Sequence, residues 1–328
     1  MIVSVEELGL AALFALAFAN GANDAGKSVA SLMMPGPSGS GSPPKRRALL
    51  WGGFFTGVGS VTAILISGRL FSVFTPQSLL RTTPESTFVL AALAGATLWI
   101  LAATFLRLPV SSTHAIVGAI VLLAVYLFGV SGVQWGFLLY RVVLPLAAGP
   151  IGAMVAIYIL DRLTRRPATP GKVRPRLTRI AHWGSGAATA YARGINDAPK
   201  MAALGAFFLL ANPSEAVWLP YSVVAVAMFF GSLVLGHRVA VTVMGKHTAL
   251  DQVQRSKAGA ATALVVSAGA FLGAPLSTTQ VHEGSNAGIG GRASVVRSTL
   301  KGMLLAWLVT LPGAGIFAIA ISYLGAIL

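Results

Sequence analysis

Apolar residues in this chain fall in long blocks, not at the spacing of an amphipathic surface helix. Ten blocks stand out, at approximately 8–34, 47–68, 86–106, 115–130, 138–160, 180–211, 217–236, 258–273, 281–290 and 302–327. A helix crossing the roughly 30 Å hydrocarbon core of a bilayer needs about 20 apolar residues, and fewer where two half-helices share the depth. The block at 281–290 is Gly-rich and polar and is counted only by analogy with the fourth. The pattern predicts an all-α membrane protein of about ten transmembrane spans.

The polar positions between the blocks set the orientation. With the N-terminus outside, the inner connections are 35–46 with the adjoining Arg47, the region of Arg107, 161–179, 237–257 and 291–301. They hold eighteen of the 24 Lys and Arg residues, whereas the outer connections hold only Arg69 and Arg81. That asymmetry is the positive-inside signature. It predicts that both termini are outside and that the basic, Pro-rich stretch 161–179 is a cytoplasmic linker. Lys27, Arg141, Arg193 and Lys200 fall inside the blocks. Glu6 and Glu7 stand where a secretory signal would be basic, so the N-terminus reads as the entry to the first span, with nothing to cleave.

Composition agrees and excludes. With 55% hydrophobic and 10% charged residues and a mean hydropathy of +0.77, the chain is too apolar for a water-soluble protein of 328 residues. A net charge of +15 does not indicate a nucleic-acid partner, because no solvated basic face accompanies a soluble core. The lack of cysteine rules out disulfides, thiolate metal sites and a cysteine nucleophile.

An internal repeat organises the blocks. Asn20 to Lys27 aligns with Arg193 to Lys200 at five identical positions of eight, and Leu106 to His114 aligns with Leu272 to Gln280, with Gly118 meeting Gly284. Each half holds five crossings, an odd number, so the second copy enters the bilayer from the opposite side. The expected organisation is a first inverted repeat over 1–160, the basic linker 161–179 and a second inverted repeat over 180–328, with broken or re-entrant helices.

The duplicated motifs carry the candidate chemistry. Asn23 and Asp24, and Asn196 and Asp197, lie within apolar spans, each pair following a glycine (Gly21, Gly194) able to interrupt a helix. A carboxylate there costs about 2.5 to 3.5 kcal/mol on insertion scales, so it calls for a cation, a proton or a water-filled cavity. Lys27 and Lys200 follow their aspartates by three residues, which places each pair on one helix face. Pro109 to His114 and Pro275 to Gln280 have the form of a helix start, with proline in the first turn and hydroxyls as caps. Free amides at such starts, with the hydroxyls of Ser111, Ser112, Thr113, Ser277, Thr278 and Thr279, suit a tetrahedral anion. The competing reading is that these hydroxyls bond back to their own helices. His114 is matched by Gln280. Glu283, beside His282, is a third acid within the membrane, a candidate proton site whose counterpart is Val117.

At these residues the sequence resembles the inorganic phosphate transporter (PiT) family, including its sulfate-permease-like members. The paired signatures Gly21 to Asp24 and Gly194 to Asp197, and the paired segments Pro109 to His114 and Pro275 to Gln280, carry the likeness. The resemblance implies secondary active transport of phosphate coupled to Na⁺ or H⁺. Asn23, Asp24, Asn196 and Asp197 would then lie near the coupling ions, as sodium ligands if sodium is used. The Ser and Thr residues would lie near the anion. Three features depart from the family pattern: Lys27 and Lys200 replace its usual second asparagine, Gln280 replaces its usual histidine, and the chain is short. An ammonium beside each Asp would occupy the space and supply the charge that Na⁺ would bring, which favours proton coupling and adds both lysines to the candidate anion ligands; the alternative is that the lysines point to solvent at the span ends and Na⁺ binds elsewhere.

The expected protein is a multi-pass transporter of the plasma membrane whose partners are phosphate or sulfate and lipid, with no cofactor and no nucleic acid; a homo-oligomer is compatible with it. Two rivals are kept. An intramembrane aspartyl hydrolase would use Asp24 and Asp197 as a dyad, but it requires neither mirrored hydroxyls nor neighbouring lysines. A passive anion channel would lack saturable, counterflow-competent uptake.

Overall fold

The computed structural model describes residues 4–34, 45–164, 175–209, 215–246, 250–290 and 293–327. In chain order they form α1 (Val5–Val29), which tightens into a 3-10 turn at Ala30–Met33, α2 (Lys45–Ile66) and the short α3 (Gly68–Val73) and α4 (Pro76–Leu79). Next come α5 (Ser86–Phe105), α6 (Ser112–Phe128) and α7 (Trp135–Leu138), which runs through a π turn at Leu139–Val143 into α8 (Leu144–Thr164). The remainder is α9 (Pro175–Ala206), α10 (Glu215–Lys246), α11 (Gln252–Leu272), α12 (Thr278–Gly290) and α13 (Ala293–Ile327). Most of the expected basic linker, 165–174, lies outside the described residues.

Among the described residues six helices are long and apolar enough to cross a membrane: Val5–Met33, Lys45–Ile66, Ser86–Phe105, Trp135–Thr164, Val217–Gly245 and Trp307–Gly325. α6 is apolar but shorter, with 17 residues. Several helices outrun the apolar blocks that announced them. α10 continues to Lys246, into the stretch expected to be an inner connection, and α13 begins at Ala293. Hydropathy marks the part of a helix that contacts lipid, whereas backbone hydrogen bonding carries the helix on into polar surroundings.

Local chemistry fixes several ends. Ser4 and Glu7 form a capping box at the start of α1, and Asp251 and Gln254 form another at α11. Gly273, at φ 74°, ends α11 in the left-handed conformation.

α1 packs along α10 and α2 along α9; α5 lies against α1 and α11 against α9; α13 covers α5 and α6, while α8 meets α11 and α12. Gly21 and Gly194 do not interrupt their helices, contrary to the sequence expectation. A Cβ at Gly21 would collide with the backbone of Met228 on α10, and one at Gly194 with the carbonyl of Thr56 on α2. The missing side chain lets a neighbouring backbone approach while α1 and α9 stay continuous.

α1 and α9 are antiparallel. Gly9 meets Phe208, Leu13 meets Gly205, and Leu32 meets Gly186, so numbers rise on one helix as they fall on the other. The outer surface is apolar, with Phe54, Leu65, Leu163, Leu264 and Leu308 exposed, whereas Asn23, Asp24, Lys27, Arg193, Asn196, Asp197 and Lys200 are buried. That inside-out distribution suits a lipid solvent.

Candidate functional site

Two non-helical segments lie between helices at the site. After α5, Arg107 takes a positive φ of 60°, and the chain runs extended to Ser111 before α6 begins. After α11, Gly273 takes φ 74° at the matching position of the repeat, and the chain runs to Ser277 before α12. Both helices therefore start later than expected, and Pro109 and Pro275 precede them. The caps are Ser111, whose Oγ accepts from the amide of His114 at 3.4 Å and lies 2.6 Å from its Nδ1, and Ser277, whose Oγ accepts from the amide of Gln280 at 3.4 Å.

The signature asparagines clamp these segments. Asn23 donates to Thr104 Oγ1 (2.9 Å) and the Leu108 carbonyl (3.0 Å) and accepts from the Val110 amide (3.1 Å). Asn196 donates to the Leu276 carbonyl (3.0 Å) and to Asp197 Oδ1 (2.8 Å), and accepts from the Leu276 amide (3.3 Å). Extended backbone within a helical core has no neighbouring strand to bond, so side-chain amides satisfy it instead.

The lysines do not reach solvent. Lys27 Nζ donates to Asp24 Oδ1, to the Val110 carbonyl and, at 2.7 Å, to Thr279 Oγ1. Lys200 Nζ donates to Asp197 Oδ1 (3.2 Å), to the Leu276 carbonyl (2.9 Å) and to Thr113 Oγ1 (2.7 Å). An ammonium has three N–H donors and all three are engaged in each case. Each is held by one carboxylate, one backbone carbonyl and one hydroxyl, and the hydroxyl comes from the other half of the chain. Thr113 and Thr279 also donate onward, to the Leu276 carbonyl at 3.4 Å and the Val110 carbonyl at 3.2 Å.

Asn20 joins the two aspartates. Its Nδ2 lies 3.3 Å from Asp24 Oδ2, 3.4 Å from Asp197 Oδ2 and 2.7 Å from Ser112 Oγ, and Ser112 in turn donates to Asp24 Oδ2 at 3.2 Å. Arg193, at the position of the repeat that Asn20 holds, is 1% exposed, and its three guanidinium nitrogens have no hydrogen-bond partner.

Nine of the expected site residues thus converge. Asp24, Asp197, Asn23, Asn196, Lys27, Lys200, Ser112, Thr113 and Thr279 form one connected network, while Ser111 and Ser277 serve as caps. Thr278 is half-buried in the first turn of α12, and Glu283 is half-buried one turn further along. His114 packs edge-on against Trp307, with 4.7 Å between ring centroids. Among the described residues no group of three His, Asp or Glu gathers as a metal site. The sequence reading missed Asn20 and Arg193 as site residues. The available signal was their mutual alignment and, for Arg193, a charge inside an apolar block.

The arrangement gathers the hydrogen-bond donors and positive charge that an anion requires. The first amides of α6 and α12 lack intrahelical partners and begin beside Thr113 and Thr279, which bind the buried ammonium groups of Lys200 and Lys27.

The model of the phosphate transporter family matches the chain twice, over residues 20–174 and 164–318. A "Probable low-affinity inorganic phosphate transporter" of Mycobacterium bovis is 31% identical over 315 residues, covering 91% of this chain and 72% of that protein. A protein of the same description from Rhizobium meliloti is 29% identical over 323 residues, covering 94% and 92%. Among solved structures, "The sodium-dependent phosphate transporter" superimposes with a TM-score of 0.85 at 21% identity, over 99% of this chain and 100% of that one, a likeness of fold.

Proposed function

The chain belongs to the phosphate transporter family and is a multi-pass integral membrane protein, and from that premise we propose that it carries inorganic phosphate by alternating access, driven by protons, without sodium at its two signature aspartates. The carrier consists of inverted repeats 1–160 and 180–328 around a central site. Supporting this are the double family match, the antiparallel course of α1 and α9, and the way the main packing pairs exchange partners between halves. Phosphate binds between the starts of α6 and α12, where the free helix amides replace part of its hydration shell. Phosphate is preferred over sulfate because the relatives found are named for phosphate.

The observation that carries the sodium-free reading is the saturation of both lysines. Carboxylate, carbonyl and hydroxyl oxygens are hard donors of the kind an alkali or alkaline-earth cation takes, and here an ammonium already occupies each set. With fixed internal cations, the Asp–Lys pairs or Glu283 remain as proton carriers.

The test is uptake of labelled phosphate into proteoliposomes under separately imposed Na⁺ and proton gradients, with sulfate as competitor. Uptake should follow the proton gradient, saturate, support counterflow and resist excess sulfate. Uptake requiring Na⁺ at constant pH and membrane potential would refute the coupling, and flux without counterflow would indicate a channel.

A further inference from the structure

We propose that Arg193 is the principal anion ligand of this site, gripping two phosphate oxygens with its guanidinium. The inference rests on the phosphate-carrier reading and names the residue that reading leaves out.

Most of the buried donors around the two aspartates are already engaged. Lys27 and Lys200 have no N–H to spare, because each ammonium already donates to three oxygens. The hydroxyls of Ser112, Thr113 and Thr279 each donate to a carboxylate or carbonyl, and Ser111 and Ser277 cap their helices. Among the described residues, Arg193 is the buried cation with every guanidinium nitrogen unpaired. The Gln280 side-chain amide, in the first turn of α12, is also buried with no acceptor.

Charge points the same way. Asp24 is paired with Lys27 and Asp197 with Lys200. Arg193 interacts electrostatically with both aspartates, yet hydrogen-bonds to neither. Three cationic side chains around two carboxylates leave one positive charge uncompensated in the core. Its surroundings sharpen this. Because α1 and α9 are antiparallel, Arg193 lies at the level of Lys27, and the two repel each other. Two cations that repel, one with its whole donor set open, form a local charge that an added anion relieves. A guanidinium is suited to the task, since its planar fork matches two oxygens of a tetrahedral oxyanion and its charge persists at any physiological pH.

The position is also specific to one half of the repeat. Asn20, the counterpart of Arg193, is used to bridge the two aspartates. The anion is therefore held asymmetrically, nearer Lys27 than Lys200.

The experiment measures binding of labelled inorganic phosphate, and its effect on thermal unfolding, with purified protein in lipid nanodiscs. Wild type, Arg193→Gln and Arg193→Lys are compared. Losing a charge-assisted fork should weaken phosphate binding by about tenfold or more in Arg193→Gln, and phosphate should no longer raise its melting temperature. Arg193→Lys keeps the charge without the fork and should fall between. If Arg193 is only a counter-charge to the aspartates, Arg193→Gln melts lower by the same amount with and without phosphate and binds it as tightly as wild type, which overturns the assignment. Should Arg193→Gln fail to fold, wild-type affinity in Arg193→Lys overturns the fork. Wild-type protein that neither binds nor transports phosphate would instead sink the carrier reading itself.

Discussion

Asp24 and Lys27, with Asp197 and Lys200, form ion pairs deep in the protein, so neither member can be changed in isolation. Asp24→Asn or Asp197→Asn leaves a buried ammonium without its carboxylate, a loss of about 3–5 kcal/mol for a pair of this kind. Each should lower the melting temperature in nanodiscs and abolish uptake. The double replacement Asp24→Asn with Lys27→Asn removes both charges and should recover most of the stability without recovering uptake; full uptake in that variant would remove the pair from the mechanism. Replacing Lys27 and Lys200 together by Asn opens both oxygen sets. Proton-driven phosphate uptake should then weaken and Na⁺ should begin to stimulate it, as ²²Na⁺ binding can check. The Asp–Lys pairing is legible in the sequence because a three-residue step is nearly one helical turn. The crossing of Lys27 to Thr279 and of Lys200 to Thr113 is not, since those partners lie 252 and 87 residues away and only packing brings them together.

At the scale of elements, the starts of α6 and α12 separate capping from recognition. Ser111 accepts from the His114 amide and lies against its ring, so Ser111→Ala should lower stability by about 1 kcal/mol while leaving the phosphate KM near wild type. A raised KM at unchanged melting temperature would return Ser111 to the anion. Gly194 is constrained differently. A Cβ there meets the Thr56 carbonyl, so Gly194→Ala must push α9 away from α2, at a cost of about 1–3 kcal/mol for an overpacked contact. Reduced melting temperature measures that displacement, and an unaffected variant would show that the two helices are not held at this distance. The sequence marks both glycines as special without revealing how. A glycine within a helix is read equally as a break or as a close approach, and only the presence of Met228 and Thr56 opposite decides for the latter.

For the whole molecule the testable statement is topology. The charge bias predicts that Thr169 is cytoplasmic and Ser131 outside, so single cysteines placed there should react with a membrane-impermeant reagent from opposite faces. Labelling of both from one side of intact cells would discard the five-plus-five scheme. What the sequence determined by itself was the class of solvent, the helical architecture, the family likeness and the duplicated motifs. These follow from local properties: apolar length, the placement of Lys and Arg, and the order of a few residue types. What only the tertiary structure decided was how the motifs are used. It assigned the asparagines to clamping extended backbone, saturated the lysines, joined the aspartates through Asn20 and left Arg193 without a partner. Whether a buried donor is satisfied depends on atoms contributed by helices distant in the chain, and no local pattern records which of them will be within 3 Å.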